Sequence, residues 1–275
     1  MPVFLSKIEV RALLERKGMY NMTRIIMNGC NGAMGQTITK IVAEDTEAVI
    51  VAGIDPFDGK ENEYPVFKSL EECDVDADVI IDFSTANAVD ELLDVCEAKE
   101  IPVVLCTTGL SEEQLARVSQ VSQSTAVLKS ANMSLGVNTL MELLRKAALV
   151  FAPAGFDMEI VEKHHNLKVD APSGTALALA DSMNDALENA YTYKYDRSQE
   201  RVKRDKYEIG ISAVRGGTIV GEHEVIFAGQ DEVIEFKHTA YSKAVFAKGA
   251  VEAAKFLHGK PAGYYGMADV ISAKN

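Results

Sequence analysis

Arg24-Ile25-Ile26-Met27-Asn28-Gly29-Cys30-Asn31-Gly32-Ala33-Met34-Gly35 is an apolar β-type run that breaks into three glycines, three residues apart, and then opens a stretch of helical period. Glycine at three such positions permits a tight turn, close approach of the backbone to a pyrophosphate, and close helix-to-strand packing. The helix start then offers its amides to the anion. The spacing, G-x-x-G-x-x-G, is a variant of the usual dinucleotide fingerprint, so its surroundings have to support it. The next apolar run, Ala48 to Ile54, ends on Asp55, 20 residues beyond Gly35 (55 − 35), where such a loop wants an acid for the adenosine ribose hydroxyls. Pro56 follows, and Ala33 brings no cation to the loop, so a 2′-phosphate lacks a partner there. NADH is therefore expected to serve at least as well as NADPH.

Around this loop, RIIMN (24–28), AVIVAGI (48–54), DVIIDF (78–83), PVVLC (102–106) and AVLKS (126–130) alternate with helix-period segments at 33–44, 85–98 and 111–122. Near-continuous apolar strands separated by helices predict a doubly wound α/β domain with a parallel sheet covered on both faces. Thr107-Thr108-Gly109 and Ser130-Ala131-Asn132-Met133 follow the fourth and fifth strands, at the end of a parallel sheet where ligands bind. Taken singly, each reads equally well as an ordinary polar loop. Cys30 and Cys106 border these loops, where a buried thiol is as readily a space filler. After a helix at 135–150 the pattern changes. DMEIVEK (157–163), a helix at 174–189 and three strand-like runs, 208–214, 222–228 and 232–238, joined at Arg215-Gly216-Gly217 and Gly229-Gln230-Asp231, predict a second, α+β domain with an antiparallel or mixed sheet. A last helix spans Ser242 to His258; its period does not say on which layer it packs.

Two domains suit 275 residues. No run approaches the 18 or more apolar residues that cross a bilayer, and Val3-Phe4-Leu5 is too short for a signal-peptide core. A net charge of −13 argues against a nucleic-acid partner. The four cysteines form no Cys-x-x-Cys pair, as suits reduced thiols in the cytoplasm rather than a zinc site or disulfide framework. Residues 1–21 precede a further methionine, Met22, and carry four basic against two acidic side chains; they are expected to be a surface extension.

The densest chemistry lies in Glu162-Lys163-His164-His165-Asn166-Leu167-Lys168-Val169-Asp170-Ala171-Pro172-Ser173-Gly174-Thr175-Ala176. Two imidazoles and two lysines fall within six residues of an otherwise acidic chain. Ser173 suits a helix N-cap, with the amides of Gly174 and Thr175 placed for a carboxylate. A histidine exchanges protons near neutral pH, and a nearby lysine holds a carboxylate or steadies developing negative charge. A metal held by His164 and His165 with Glu159 or Glu162 is the competing reading. Adjacent residues of an extended segment point to opposite sides, so no metal is expected. Arg215 to Gly217 and Lys243 are further candidates for the border of a substrate pocket.

GxxGxMG (29–35), DFST (82–85), TTG (107–109), SANMSLGVN (130–138), EKHHNLKVDAPSGTA (162–176), GEHEV (221–225) and KGA (248–250) together resemble the dihydrodipicolinate reductase family, from Met22 to the C-terminus. The resemblance implies a Rossmann-like dinucleotide-binding domain from 22–132 and 241–275, with the last helix returning to it. It also implies a substrate-binding domain over 133–240 whose sheet assembles a homotetramer. The activity it implies is reduction, by NADH or NADPH, of a cyclic imine-dicarboxylate on the route to diaminopimelate and lysine, with domain closure bringing nicotinamide and substrate together. By motif, Gly29, Cys30, Asn31, Gly32, Ala33 and Met34 would line the pyrophosphate and Asp55 the ribose. Cys106, Thr107, Thr108, Ser130, Ala131, Asn132 and Met133 would hold the nicotinamide end. His164 would be the acid-base histidine and Lys168 the proton donor, with His165, Ser173, Gly174 and Thr175 at the substrate carboxylates. The departures are Ala33, where many members have arginine, and Pro56, where NADPH-preferring members have a basic residue. A related amino-acid dehydrogenase and a dinucleotide sensor are the alternatives; the second leaves the His-His-x-x-Lys cluster without a purpose.

Overall fold

The computed structural model describes residues 22–57 and 59–274; the expected N-terminal extension lies outside them. Along the chain come β1 (Thr23–Asn28), α1 (Ala33–Ala43), β2 (Ala48–Ile54), β3 (Val66–Phe67), β4 (Val79–Asp82), α2 (Val89–Lys99), β5 (Val103–Leu105), α3 (Glu112–Val121) and β6 (Ala126–Lys129). There follow α4 (Leu135–Phe151), β7 (Asp157–His164), α5 (Gly174–Ala186), β8 (Thr192–Lys194), β9 (Glu208–Arg215), β10 (Gly221–Ala228) and β11 (Val233–Ala240). The chain closes with α6 (Ala244–Leu257), β12 (Gly263–Tyr265) and α7 (Met267–Ser272). Two compact units result: one runs to Ser134 and resumes at Ala244, the other is Leu135–Lys243. No helix among the described residues is long and apolar enough to cross a membrane.

In the first unit seven strands lie in the order β12-β6-β5-β4-β1-β2-β3, every neighbouring pair parallel. The apolar runs make these strands because both faces are covered: Ile25, Met27, Val79, Ile80, Ile81, Val103, Val104 and Leu105 are all fully buried. Each such side chain contributes roughly 1.5–3 kcal/mol relative to an exposed one. The winding reverses between β1 and β4, which puts the loops after these two strands at a switch point, where ligands bind in open parallel sheets. The helix expected to be last, α6, belongs to this unit and packs on α1, β4 and β5, and the short helix α7 follows it. Gly249 makes that packing feasible, since a Cβ there would fall 1.7 Å from the carbonyl oxygen of Met133.

The second unit has a mixed sheet, β11-β10-β7-β9-β8. β10 runs antiparallel to both β11 and β7, and β9 parallel to β7 and β8. Leu140, Leu144 and Ala148 of α4 and Leu179, Ala180 and Met183 of α5 pack on Met158, Ile160, Ile209, Ile211, Val225 and Phe227 of the sheet. β7 alternates cleanly, so Glu162 and His164 lie on the same inner face as Met158 and Ile160.

One turn differs from its expectation. Gly229-Gln230-Asp231 closes a hairpin between β10 and β11, but Arg215-Gly216-Gly217 does not join neighbours, because β7 lies between β9 and β10. The short strands β3, β8 and β12, two or three residues each, were not expected from the sequence.

Candidate active site

In the first unit the glycine loop leaves β1 through Gly29, whose φ of +81° suits a residue without a side chain; a Cβ there would also meet the Phe83 carbonyl oxygen at 2.6 Å. Gly35 is the close-packing position, its Cβ falling 2.2 Å from the Gly29 carbonyl oxygen. Gly32 is the N-cap of α1 and makes no side-chain cap, so among the described residues the amides of Ala33 and Met34 have no acceptor. Gly32 and Ala33 are exposed, Gly29, Asn31 and Met34 half-buried, and Cys30 is buried with its thiol pushed up to about 12, chiefly by burial.

Asp55 is buried at the end of β2 and joins this loop directly: Oδ2 accepts from the Asn31 amide at 3.0 Å and Oδ1 from the Phe57 amide at 3.0 Å. The strand ends on the other side meet on Asp82, a residue the sequence reading gave no role. Its fully buried carboxylate accepts from Asn28 Nδ2 at 2.8 Å, Thr107 Oγ1 at 2.6 Å and the Ser84 amide at 3.2 Å. Burial pushes its carboxyl above the ordinary range despite those bonds. Lys129 reaches the Thr107 carbonyl at 3.5 Å, and burial lowers its ammonium pKa. Thr107 is thus fixed, Thr108 exposed, and Cys106 half-buried with its thiol raised well above its usual value by burial. Beyond β6, Ser130 Oγ donates to the Asn132 carbonyl at 3.0 Å and the Ser134 amide to Asn132 Oδ1 at 2.8 Å; Ala131 is exposed and Met133 buried. All the cofactor candidates therefore stand at the C-terminal ends of β1, β2, β5 and β6.

In the second unit His164 ends β7, buried, with Nδ1 2.5 Å from Glu162 Oε2. Glu162 also accepts from Arg215 through Nη1 at 2.8 Å and Nη2 at 2.7 Å, and from the Ser173 amide at 3.0 Å. Burial would raise this carboxyl, yet the hydrogen bonds from Arg215, His164 and Ser173 outweigh it and hold it below its ordinary value. Ser173 caps α5 as expected, its Oγ accepting from the Ala176 amide at 3.1 Å, and the same oxygen lies 2.9 Å from His223 Nε2. The His164 and His223 rings meet edge to face, 5.1 Å between centroids.

His165 is half-buried, and the Lys168 amide turns back to its carbonyl at 3.1 Å. Lys168 Nζ holds Asp170 Oδ1 at 2.7 Å, and that ammonium, with help from the Gly174 amide, keeps the Asp170 carboxyl below its ordinary range. A lysine here already grips a carboxylate, the chain's own. Gly174 is exposed and Thr175 half-buried; Lys243 is exposed. Glu162 and Arg215 were legible only as a metal alternative and a pocket border, since their partnership spans 53 residues. Among the described residues no group of three or more His, Cys, Asp or Glu is arranged to hold a metal.

A parallel sheet with a glycine-rich loop at its switch point is the architecture of a nucleotide-binding domain, and the family matches that follow make the chain an oxidoreductase with that domain at its N-terminal side. Two family models match, described as dihydrodipicolinate reductase, N-terminus, over residues 23–133 and dihydrodipicolinate reductase, C-terminus, over residues 136–271. The 4-hydroxy-tetrahydrodipicolinate reductase of Clostridium novyi (strain NT) is 48% identical over 254 residues, 92% of this chain and 100% of the relative. That of Caldanaerobacter subterraneus subsp. tengcongensis is 50% identical over 254 residues, 91% of this chain and 98% of the relative. A dipicolinate-bound dihydrodipicolinate reductase from Paenisporosarcina sp. TG-14 shares the fold, with a TM-score of 0.76 at 24% identity over 90% of this chain and 99% of that one. The chain belongs to the dihydrodipicolinate reductase family, enzymes of diaminopimelate and lysine biosynthesis that reduce 4-hydroxy-tetrahydrodipicolinate, a dicarboxylate, with NAD(P)H.

Proposed function

We propose that the reaction is carried by His164 and Lys168, on a substrate whose carboxylates are held by His165, Ser173, Gly174 and Thr175. The supporting observation is the Lys168–Asp170 ion pair just ahead of α5, where an ammonium already holds a carboxylate close to a capped helix start in the sequence. Either substrate carboxylate finds the same chemistry on displacing Asp170. The pyrophosphate of the cofactor fits the loop from Gly29 to Met34, where Gly32 leaves the backbone bare and the α1 amides open, and Asp55 takes the adenosine ribose. Cys106, Thr107, Thr108 and the 130–133 turn hold the nicotinamide end. Loss of the substrate's hydroxyl as water opens a carbon–carbon double bond conjugated with the ring imine, and the dinucleotide, when bound, would supply a hydride to its far carbon. His164 delivers a proton to the adjacent ring position, directly or through a water, with Lys168 assisting. Positioning and electrostatic holding of two carboxylates supply much of the rate.

NADH serves at least as well as NADPH, because neither Pro56 nor Ala33 offers a cation to a 2′-phosphate. The chain works as a homotetramer in the cytoplasm, an assembly that light scattering measures directly. Coupled to dihydrodipicolinate synthase with pyruvate and aspartate semialdehyde, the wild type is expected to oxidise NADH, and pyridine-2,6-dicarboxylate to compete with substrate. His164→Gln and Lys168→Ala are each expected to lose about 100-fold or more in kcat. Near-normal turnover in both would overturn their roles, and a preference for NADPH of about 100-fold, roughly the worth of two charge-assisted hydrogen bonds, would overturn the coenzyme reading.

A further inference from the structure

We propose that Glu162, clamped by Arg215, is the positioning residue of the acid-base centre, holding His164 with Nδ1 protonated and turned inward so that Nε2 is the nitrogen that exchanges protons. This rests on His164 being the acid-base group. The alternation of β7 sets residues 162 and 164 on one face, so that the carboxylate and imidazole are neighbours by construction. The Glu162 side chain is wholly shielded from solvent, and an ionised carboxylate in such a place requires partners on every side. Four donors supply them: His164 Nδ1, the two terminal nitrogens of Arg215 and the Ser173 amide. Those bonds keep the group ionised, and an ionised carboxylate only accepts. The 2.5 Å contact therefore places the proton on Nδ1 and leaves the lone pair of the neutral ring on Nε2.

The surroundings of Nε2 agree with that assignment. A Cβ on Gly221 of β10 would lie 3.1 Å from Nε2 and 3.4 Å from Cδ2, so the bare Cα keeps the edge of the ring clear. The charged or titratable groups around the ring are Glu162 on β7, Arg215 on β9, His223 on β10 and the Lys168–Asp170 pair ahead of α5, with His238 on β11 opposite His223. His223 does not compete for the proton, because burial pushes its pKa down to about 4. Through the Ser173 amide the same carboxylate also sets the distance between His164 and the start of α5, where a substrate carboxylate would be held. Arg215 adds a second tie to that loop by donating to the Asp170 carbonyl at 2.7 Å.

Glu162→Gln tests the proposal, since one amide oxygen and one NH2 would face four donors. When the NH2 faces His164 it donates to Nδ1 and drives the ring to the Nε2–H tautomer; when it faces Ser173 it expels the α5 amide. Long-range 1H–15N NMR of the 15N-histidine-labelled full chain, assigned with His164→Gln, reads the tautomer without substrate or cofactor. The expected result is Nδ1–H in the wild type, a reversed or mixed tautomer in Glu162→Gln, and a fall in kcat of about 100-fold or more. A wild-type ring protonated on Nε2 alone, or an Nδ1–H tautomer and a kcat both unchanged in Glu162→Gln, overturns the proposal; the wild-type spectrum decides even where the variant does not fold. A changed tautomer with kcat within about threefold of wild type, far short of the usual worth of a general acid or base, removes His164 from the chemistry and leaves the orienting contact standing, so the two failures are told apart.

Discussion

Replacing Gly32 by alanine separates the phosphate cradle proposed for this loop from the loop's part in the fold. Gly32 caps α1 at φ −68° and ψ 167°, a conformation open to alanine, and a Cβ there would meet only the Gly29 carbonyl oxygen, at 3.3 Å. The stability of the apo-protein should therefore change by no more than about 1 kcal/mol, the usual cost of alanine at an N-cap. In the proposed complex the new methyl group would instead crowd the pyrophosphate on its approach to the Ala33 and Met34 amides. Losing one charge-assisted hydrogen bond there costs about 1.5–3 kcal/mol, which raises the dinucleotide Kd roughly 10- to 150-fold. Calorimetric titration with NADH and a thermal melt of the same samples measure both numbers. Gly35→Ala is the companion: its Cβ would fall 2.2 Å and 2.6 Å from the carbonyl oxygens of Gly29 and Cys30, so it should lower stability by about 1–3 kcal/mol as well as weaken cofactor binding. A Gly32→Ala enzyme that binds NADH within twofold of wild type would refute the assignment of this loop.

Ser173→Ala removes the α5 cap and the contact to His223, and urea unfolding should register a loss of about 1 kcal/mol. His223 is held neutral when folded, with its pKa pushed down to about 4 by burial, whereas an unfolded imidazole takes up its proton near 6.5. Its contribution is thus fully present above pH 6.5 and is lost as pH falls toward 4, by at most about 3 kcal/mol; chemical unfolding across that window should flatten in His223→Asn. Cys30, Cys73 and Cys96 are buried and the Cys106 thiol is raised well above its usual value. A thiol reagent at pH 8 should therefore find no fast site in the native protein and all four after denaturation.

The glycine loop was legible because its requirements are local: a φ of +81° at Gly29 and close backbone approach at Gly35 depend on residues within a few positions. The Ser173 cap was legible for the same reason. The order of the second sheet was not. β7 enters between β9 and β10 through packing against α4 and α5, and the glycine pair after Arg215 looks the same in sequence whether it closes a hairpin or crosses a neighbouring strand. Strands such as β3 and β12 are too short to show a period. At the site, the histidines and lysines announced themselves by composition. Asp82 and Glu162 did not, because a buried carboxylate is defined by donors that arrive from distant segments, Thr107 in one case and Arg215 in the other.

The return of α6 and β12 to the first sheet has a consequence for how the chain is made. Residues 135–243 are contiguous, so the second unit is complete in the nascent polypeptide while the first still lacks the helix that covers β4 and β5. Until Gly263 to Tyr265 leave the ribosome, β6 also presents a bare edge to the crowded cell, with its backbone groups open to any passing strand. Truncation near the C-terminus therefore strikes the half of the protein that was translated first.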